Sequence, residues 1–241
     1  MNARYAIYYI PEPETALANL GSALLGRDSE TGYIVAQPVF SGFSQERVRT
    51  LTADARLYGL HATLKAPFFL KEGMTELGLL LAAANFVQGR EAILLPRLEL
   101  ARPDSFFALA PSGGTPEERK AAQDINALAA EAVSLFDPFR AAPSEQEIAR
   151  RHQHTLSTRQ RALLAKWGYP HVFDEYHFHI TLTGRLHEGV ETLTLEERLR
   201  AYFTSVCAEN MAVSSICVCK QTPHGNDCDF TLLKRFHFSK I

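Results

Sequence analysis

One short phrase occurs twice in this chain, 118 residues apart: Tyr58-Gly-Leu-His61-Ala-Thr63-Leu64 and Tyr176-His177-Phe-His179-Ile-Thr181-Leu182, both Tyr-x-x-His-x-Thr-Leu. In each copy apolar residues alternate with polar ones (Leu60, Ala62, Leu64; Phe178, Ile180, Leu182). That period of two predicts a strand with alternate side chains on opposite faces. His61, Thr63 and Lys65 then share one face, as do His179, Thr181 and Thr183. If the two strands face each other across a cleft, two imidazoles and two hydroxyls converge on a small volume. Such a set suits chemistry at a phosphorus atom, where a base, an acid and hydrogen-bond donors are all needed.

Between and around the copies the pattern alternates strands with helices. Residues 4–10 alternate as a strand and stop at Pro11 and Pro13; an apolar helical pattern runs from about Glu14 to Leu25 and ends at Gly26. Ser44 suits the N-cap of an amphipathic stretch reaching Tyr58, and Thr75 to Val87 reads as a further helix. Residues 91–100 and 105–110 read as a hairpin turned by Arg102-Pro-Asp-Ser105. A long helical pattern from Thr115 to about Lys166, broken near Asp137-Pro138 and Pro143, separates the halves. The second motif strand spans 176–184, Thr194 is read as the cap of a helix to about Glu209, and strands near 213–221 and 228–238 close the chain. Each half thus offers strands, helices and one His-x-Thr strand, which predicts a duplicated α+β unit with pseudo-twofold symmetry.

Composition narrows the class of partner. The 241 residues are 46% hydrophobic, enough for one domain with two lobes and a sizeable core. A net charge of −2 gives no global basic field for strong non-specific nucleic-acid binding, while a small anionic substrate remains compatible through local charge. No apolar run approaches the roughly 20 residues that cross a bilayer, and the apolar stretch after Met1 is too short for a signal peptide. The expected setting is cytoplasmic. Cys207, Cys217, Cys219 and Cys228 are then read as free thiols. A metal held by Cys217, Cys219, Cys228 and His224 is the alternative, but the spacing matches no zinc-ribbon pattern.

Longer stretches carry a family resemblance: Arg4-Tyr-Ala-Ile-Tyr-Tyr-Ile-Pro11, Leu25-Gly-Arg-Asp28 before Thr31-Gly32, Tyr58-Gly-Leu-His-Ala-Thr-Leu-Lys-Ala-Pro-Phe68, and His177-Phe-His-Ile-Thr-Leu-Thr-Gly-Arg-Leu186. On these blocks the chain resembles the two-histidine (2H) phosphoesterase superfamily and, more narrowly, its phosphonate-metabolism-associated family of uncharacterised reaction. The resemblance implies a bilobal α+β fold over residues 1–241, two antiparallel sheets facing a central cleft with helices outside. Here a helical insertion around 115–166 would reshape that cleft. It further implies metal-independent chemistry on a small phosphorylated substrate, a cyclic phosphate or a 2′,5′ phosphodiester, with no cofactor and no metal, and His61, Thr63, His179 and Thr181 as the catalytic set.

Around that set the residues themselves suggest supporting roles. Lys65 and Thr183 lie on the predicted active faces and are candidate substrate contacts; Arg185 joins them if its strand runs straight past Gly184. Tyr58 and Tyr176 fall on the opposite parity and read as core or rim. His177 forms a His-x-His pair with His179, which invites a metal reading, yet no carboxylate stands at a helpful offset and a bordering role is preferred. His152 and His154, among Arg150, Arg151 and Arg159, read as a solvated basic face, with contact to a second substrate phosphate as the alternative. Two other functions compete with small-molecule phosphoesterase activity. One is an RNA 2′,3′-cyclic phosphodiesterase or 2′,5′ RNA ligase, disfavoured by the charge; the other is a non-catalytic phosphonate- or nucleotide-binding accessory protein, disfavoured by two intact proton-transfer motifs.

Overall fold

The computed structural model describes residues 3–95, 97–143, 156–221 and 229–239. Strand β1 (Arg4–Tyr9) is buried on both faces. Tyr5, Ile7 and Tyr9 join the main core with helices α1 (Ala16–Leu25) and α4 (Glu76–Phe86), whereas Ala6, Tyr8 and Ile10 join a smaller cluster with Cys217, Cys219 and Phe230. This two-sided burial explains why the alternation in residues 4–10 is apolar on both parities.

β1 pairs with β2 (Ala62–Phe69) on one side and β8 (Ser215–Gln221) on the other, and β8 pairs with β9 (Phe230–His237). A second ladder joins β4 (Leu98–Ala101), β5 (Ala108–Pro111) and β6 (Ile180–Thr181). The two antiparallel ladders meet through a single residue pair, Ala62 opposite Ile180, giving the order β4-β5-β6-β2-β1-β8-β9. The α+β architecture has one His-x-Thr motif in each ladder, and the ladders join where the motifs meet.

Helix boundaries follow local chemistry. Thr15 and Thr75 cap α1 and α4, and Gly26 ends α1 in the left-handed region at φ 74°. Helix α5 (Pro116–Phe136) opens with a reciprocal Thr115/Glu118 capping box and has Pro116 in its first turn. It ends at the Asp137–Phe139 turn, and α6 (Thr158–Trp167) follows beyond residues 144–155. His152, His154, Arg150 and Arg151 lie outside the described residues, as do His224 and Cys228. Arg159 pairs with Asp174 at 2.5 Å. Cys207, Cys217 and Cys219 are free thiols.

Four local expectations need correction. The stretch from Ser44 is two helices, α2 (Gln45–Leu51) and α3 (Ala53–Tyr58), because the Thr52 hydroxyl bonds back to Val48 O and interrupts the run. The expected strand at 91–100 divides: β3 (Ile93–Leu95) leaves to pair with β7 (Met211–Val213), and only Leu98–Ala101 forms the hairpin with β5. Thr194 lies within α7 (Val190–Tyr202), bonding to Val190 O, and the helix starts after Gly189; α8 (Thr204–Ala208) follows separately. The second motif strand is just two residues long, because the backbone around it bonds irregularly. Leu182 N bonds Phe107 O, Gly184 N bonds Leu51 O, and the Thr183 hydroxyl takes up Phe107 N.

Candidate functional site

A cleft of about 680 Å³ lies where the two ladders meet, bordered by His61, Thr63, His179, Thr181, Thr183 and Arg185 among others. Each motif histidine is held in the same way. His61 Nδ1 lies 2.8 Å from Gly59 O, and His179 Nδ1 lies 2.8 Å from His177 O. A carbonyl oxygen can only accept, so each Nδ1 carries its hydrogen and each neutral ring keeps the lone pair on Nε2. His61 Nε2 is 3.2 Å from the Thr63 hydroxyl, which donates to it.

Burial holds both imidazoles below the ordinary 6.5. His61 is lowered to about 4: desolvation dominates, the Gly59 carbonyl opposes it, and the nearby charge of His179 lowers it further. His179 is lowered by the same desolvation, opposed by the His177 carbonyl and reinforced by the His177 charge. At neutral pH both rings are therefore uncharged.

Lys65 does not join the cleft. It is 3% exposed, and its ammonium bonds Val133 O and Asp137 Oδ1, both at 3.2 Å. The cause is a bulge: Tyr8 lies opposite Thr63, but the next residue of β1, Ile7, lies opposite Lys65, so Leu64 is extra and the side-chain alternation inverts after it. Lys65 therefore faces α5. Burial lowers its pKa to about 8 against the opposing pull of Asp137. Thr183 borders the cleft, yet its hydroxyl already donates to Gly184 O and accepts from Phe107 N, both at 2.9 Å. It braces the wall and is not a free donor. Arg185 stands at the exposed rim, 3.0 Å from Asp104.

Several cleft residues were not singled out by the sequence. The Tyr8 ring lies on His61 with centroids 3.9 Å apart, and Phe106 flanks His179 at 5.8 Å. Gln160 and His171 bring the region around α6 to the cleft border, which His177, the one residue here that the sequence did single out, also lines. Tyr8 is an ordinary apolar strand residue by pattern; only the β1–β2 register places it beside a histidine. Among the described residues no three His, Cys, Asp or Glu side chains are gathered as a metal site.

A family description, "Protein of unknown function (DUF1045)", matches residues 63–229. The chain belongs to the DUF1045 family. The match begins at Thr63, just past His61. Two curated relatives of this DUF1045 protein are both named "Ribose 1,5-bisphosphate phosphokinase PhnN". The one from Janthinobacterium sp. (strain Marseille) is 36% identical over 98% of this chain and 51% of the relative. The one from Laribacter hongkongensis (strain HLHK9) is 38% identical over 77% of this chain and 41% of the relative. The chain spans about half the length or less of these relatives. Among solved structures, E. coli LigT complexed with 3′-AMP aligns over 99% of both chains at 13% identity and TM-score 0.39, and its complex with NADP+ at 13% and 0.41. Similarity this low carries no argument. The structure of this chain itself has an α+β fold with one His-x-Thr motif on each side of a single cleft.

Proposed function

We propose that this DUF1045 protein is a metal-independent phosphoesterase that opens a small cyclic phosphate by histidine acid–base catalysis. The observation that carries this reading is the paired anchoring of His61 and His179, each Nδ1 held by a backbone carbonyl and each Nε2 left for chemistry. His61 takes the role of base. It is the ring with the pKa lowered to about 4, so it stays neutral over the widest range. Water displaces the Thr63 hydroxyl from Nε2, gives up its proton there and attacks phosphorus. The ring P–O bond breaks, and His179, entering the reaction as the imidazolium, gives its Nε2 proton to the departing alkoxide and is left as the neutral Nδ1–H ring. One water is consumed and a phosphate monoester results. Thr63, now free, and Thr181 donate to the non-bridging oxygens as charge shifts onto them.

The names of the relatives sharpen the substrate. Opening a ribose 1,2-cyclic phosphate so that O2 leaves gives a ribose 1-phosphate, and if the sugar carries a 5-phosphate the product is ribose 1,5-bisphosphate. That is the compound named for the relatives, of which this chain covers only part. The proposed role is therefore a hydrolase feeding a sugar-phosphate kinase in phosphonate breakdown, as the motif resemblance implied. The near-neutral charge favours this over RNA ends.

The test is turnover of ribose 1,2-cyclic phosphate with and without a 5-phosphate, 2′,3′-cyclic nucleotides and 2′,5′-linked dinucleotides, followed by phosphorus NMR with and without EDTA. The sugar cyclic phosphates should be converted and EDTA should have no effect. No turnover of any substrate would favour the binding-module reading; preference for the nucleotides would favour RNA ends. Loss of turnover in EDTA with rescue by a divalent ion would overturn the acid–base mechanism.

A further inference from the structure

Tyr8 and Tyr176 both border the cleft, yet they are only 1% and 8% exposed, and neither hydroxyl has a hydrogen-bond partner. Among the described residues the other buried unpartnered side-chain atoms belong to Arg102 and Arg235, which bond elsewhere through their guanidinium groups, to Glu188 and to Ile10 O respectively. These two phenols are thus the buried polar side chains there with no bond at all. A buried hydroxyl without a partner is a standing cost, and protein interiors avoid it unless a ligand or water completes the set. Both tyrosines border the cleft that holds the two histidines, with their hydroxyl atoms shielded from water.

We propose that Tyr8 and Tyr176 are ligand-binding residues, two preset hydrogen-bond donors that close on acceptor oxygens of a sugar phosphate held in the cleft. The inference rests on the cleft being a phosphate-ester site, as argued above. Tyr8 lies against His61 through its ring, so its position is fixed by stacking and not by its hydroxyl. Tyr176 opens the segment whose next residue, His177, anchors His179 through its carbonyl. Tyr8 thus stands beside one imidazole, and Tyr176 borders the same cleft as the other. Burial raises both phenols well above the ordinary tyrosine range, which keeps them protonated and able to donate. The acceptors are non-bridging phosphate oxygens or sugar hydroxyls, and the experiment separates these.

The test uses the full chain and its Tyr8→Phe and Tyr176→Phe variants, which keep the ring and remove the donor. Calorimetry measures binding of inorganic phosphate and of ribose 5-phosphate; thermal unfolding without ligand reports on folding. Each variant should bind ribose 5-phosphate about 5- to 10-fold more weakly, with a melting temperature equal to or above wild type, since an unpartnered buried hydroxyl is removed. A parallel loss for inorganic phosphate assigns the contact to phosphate oxygens; a loss confined to ribose 5-phosphate assigns it to the sugar. If wild type binds and both variants bind equally well, the inference is overturned while the proposed function stands. If affinity falls together with melting temperature, the hydroxyls are structural and the inference is overturned. If wild type binds neither probe, both readings fall.

Discussion

The two His-x-Thr motifs share a phrase and an anchoring device but stand on unlike ground. The first sits on an eight-residue strand with β1 on one side and β6 on the other, its histidine under the Tyr8 ring and bonded to Thr63. The second sits on a two-residue strand that soon gives way to irregular backbone, beside Phe106 and the exposed His177. What the difference teaches is that a repeated motif does not make equivalent groups: identical residues with identical Nδ1 anchors are tuned by what packs against them. Desolvation in the middle of the sheet takes His61 down to about 4, and we assign it the base.

The largest effect that could break this contrast is removal of either ring. His61→Ala and His179→Ala should each lower kcat by about 10²-fold or more with little change in substrate affinity, and the double variant should lose much less than the product of the two. Near-normal turnover in either single variant would remove the shared mechanism.

The pH profile sharpens the contrast, because it asks which ring does which job. kcat/KM reports the free protein. It should fall as pH drops through about 4, where the base His61 becomes protonated, and fall again as pH rises through the His179 value, which lies below the ordinary 6.5. A bound phosphate favours both imidazolium forms, so the optimum of kcat should lie at higher pH than that of kcat/KM. Loss of the alkaline limb in His179→Ala, measured on residual activity, supports the assignment; loss of that limb in His61→Ala instead exchanges the roles.

Lys65 tests the bulge that separates the motif from its sequence-level face. Lys65→Ala removes a buried ammonium whose partner Asp137 keeps Arg140 at 2.8 Å, so denaturant unfolding should show a loss of about 2–4 kcal/mol. KM per folded molecule should stay near wild type. A KM rise without destabilisation would return Lys65 to the cleft.

The smallest expected effect compares the threonines. Thr63→Val removes the hydroxyl bonded to His61 Nε2 and should cost about 10-fold in kcat/KM, measured by steady-state kinetics, with KM and kcat both affected. Thr181→Val, whose hydroxyl does not hold a histidine, should cost less. Equal losses would show that both act only on the phosphate.

Much of this was legible in the residues. The period-two alternation put His61 with Thr63 and His179 with Thr181, and the cap at Ser44 and the helical patterns beginning at Thr75 and Thr115 marked helix starts that the structure contains. Those signals are local: a hydroxyl reaching its own helix N–H, or a side chain alternating along its own strand, needs no partner from elsewhere. The misplacements share the opposite character. Lys65 left the predicted face because one extra residue against β1 inverts the alternation, and a bulge is a property of two strands together. Tyr8 became the neighbour of His61, and Thr183 spent its hydroxyl on Phe107 and Gly184, through contacts between segments distant in the chain.

By itself, then, the sequence determined the α+β class, the duplicated motif and which two histidines are the candidates for proton transfer, because periodicity and residue chemistry are carried by short stretches of chain. Only the tertiary structure decided that the two ladders join at Ala62 and Ile180, that Lys65 braces α5, and that His61 is the more strongly depressed of two like-anchored rings. Register and desolvation arise only when remote segments exclude water from one another, and no single stretch of residues records them.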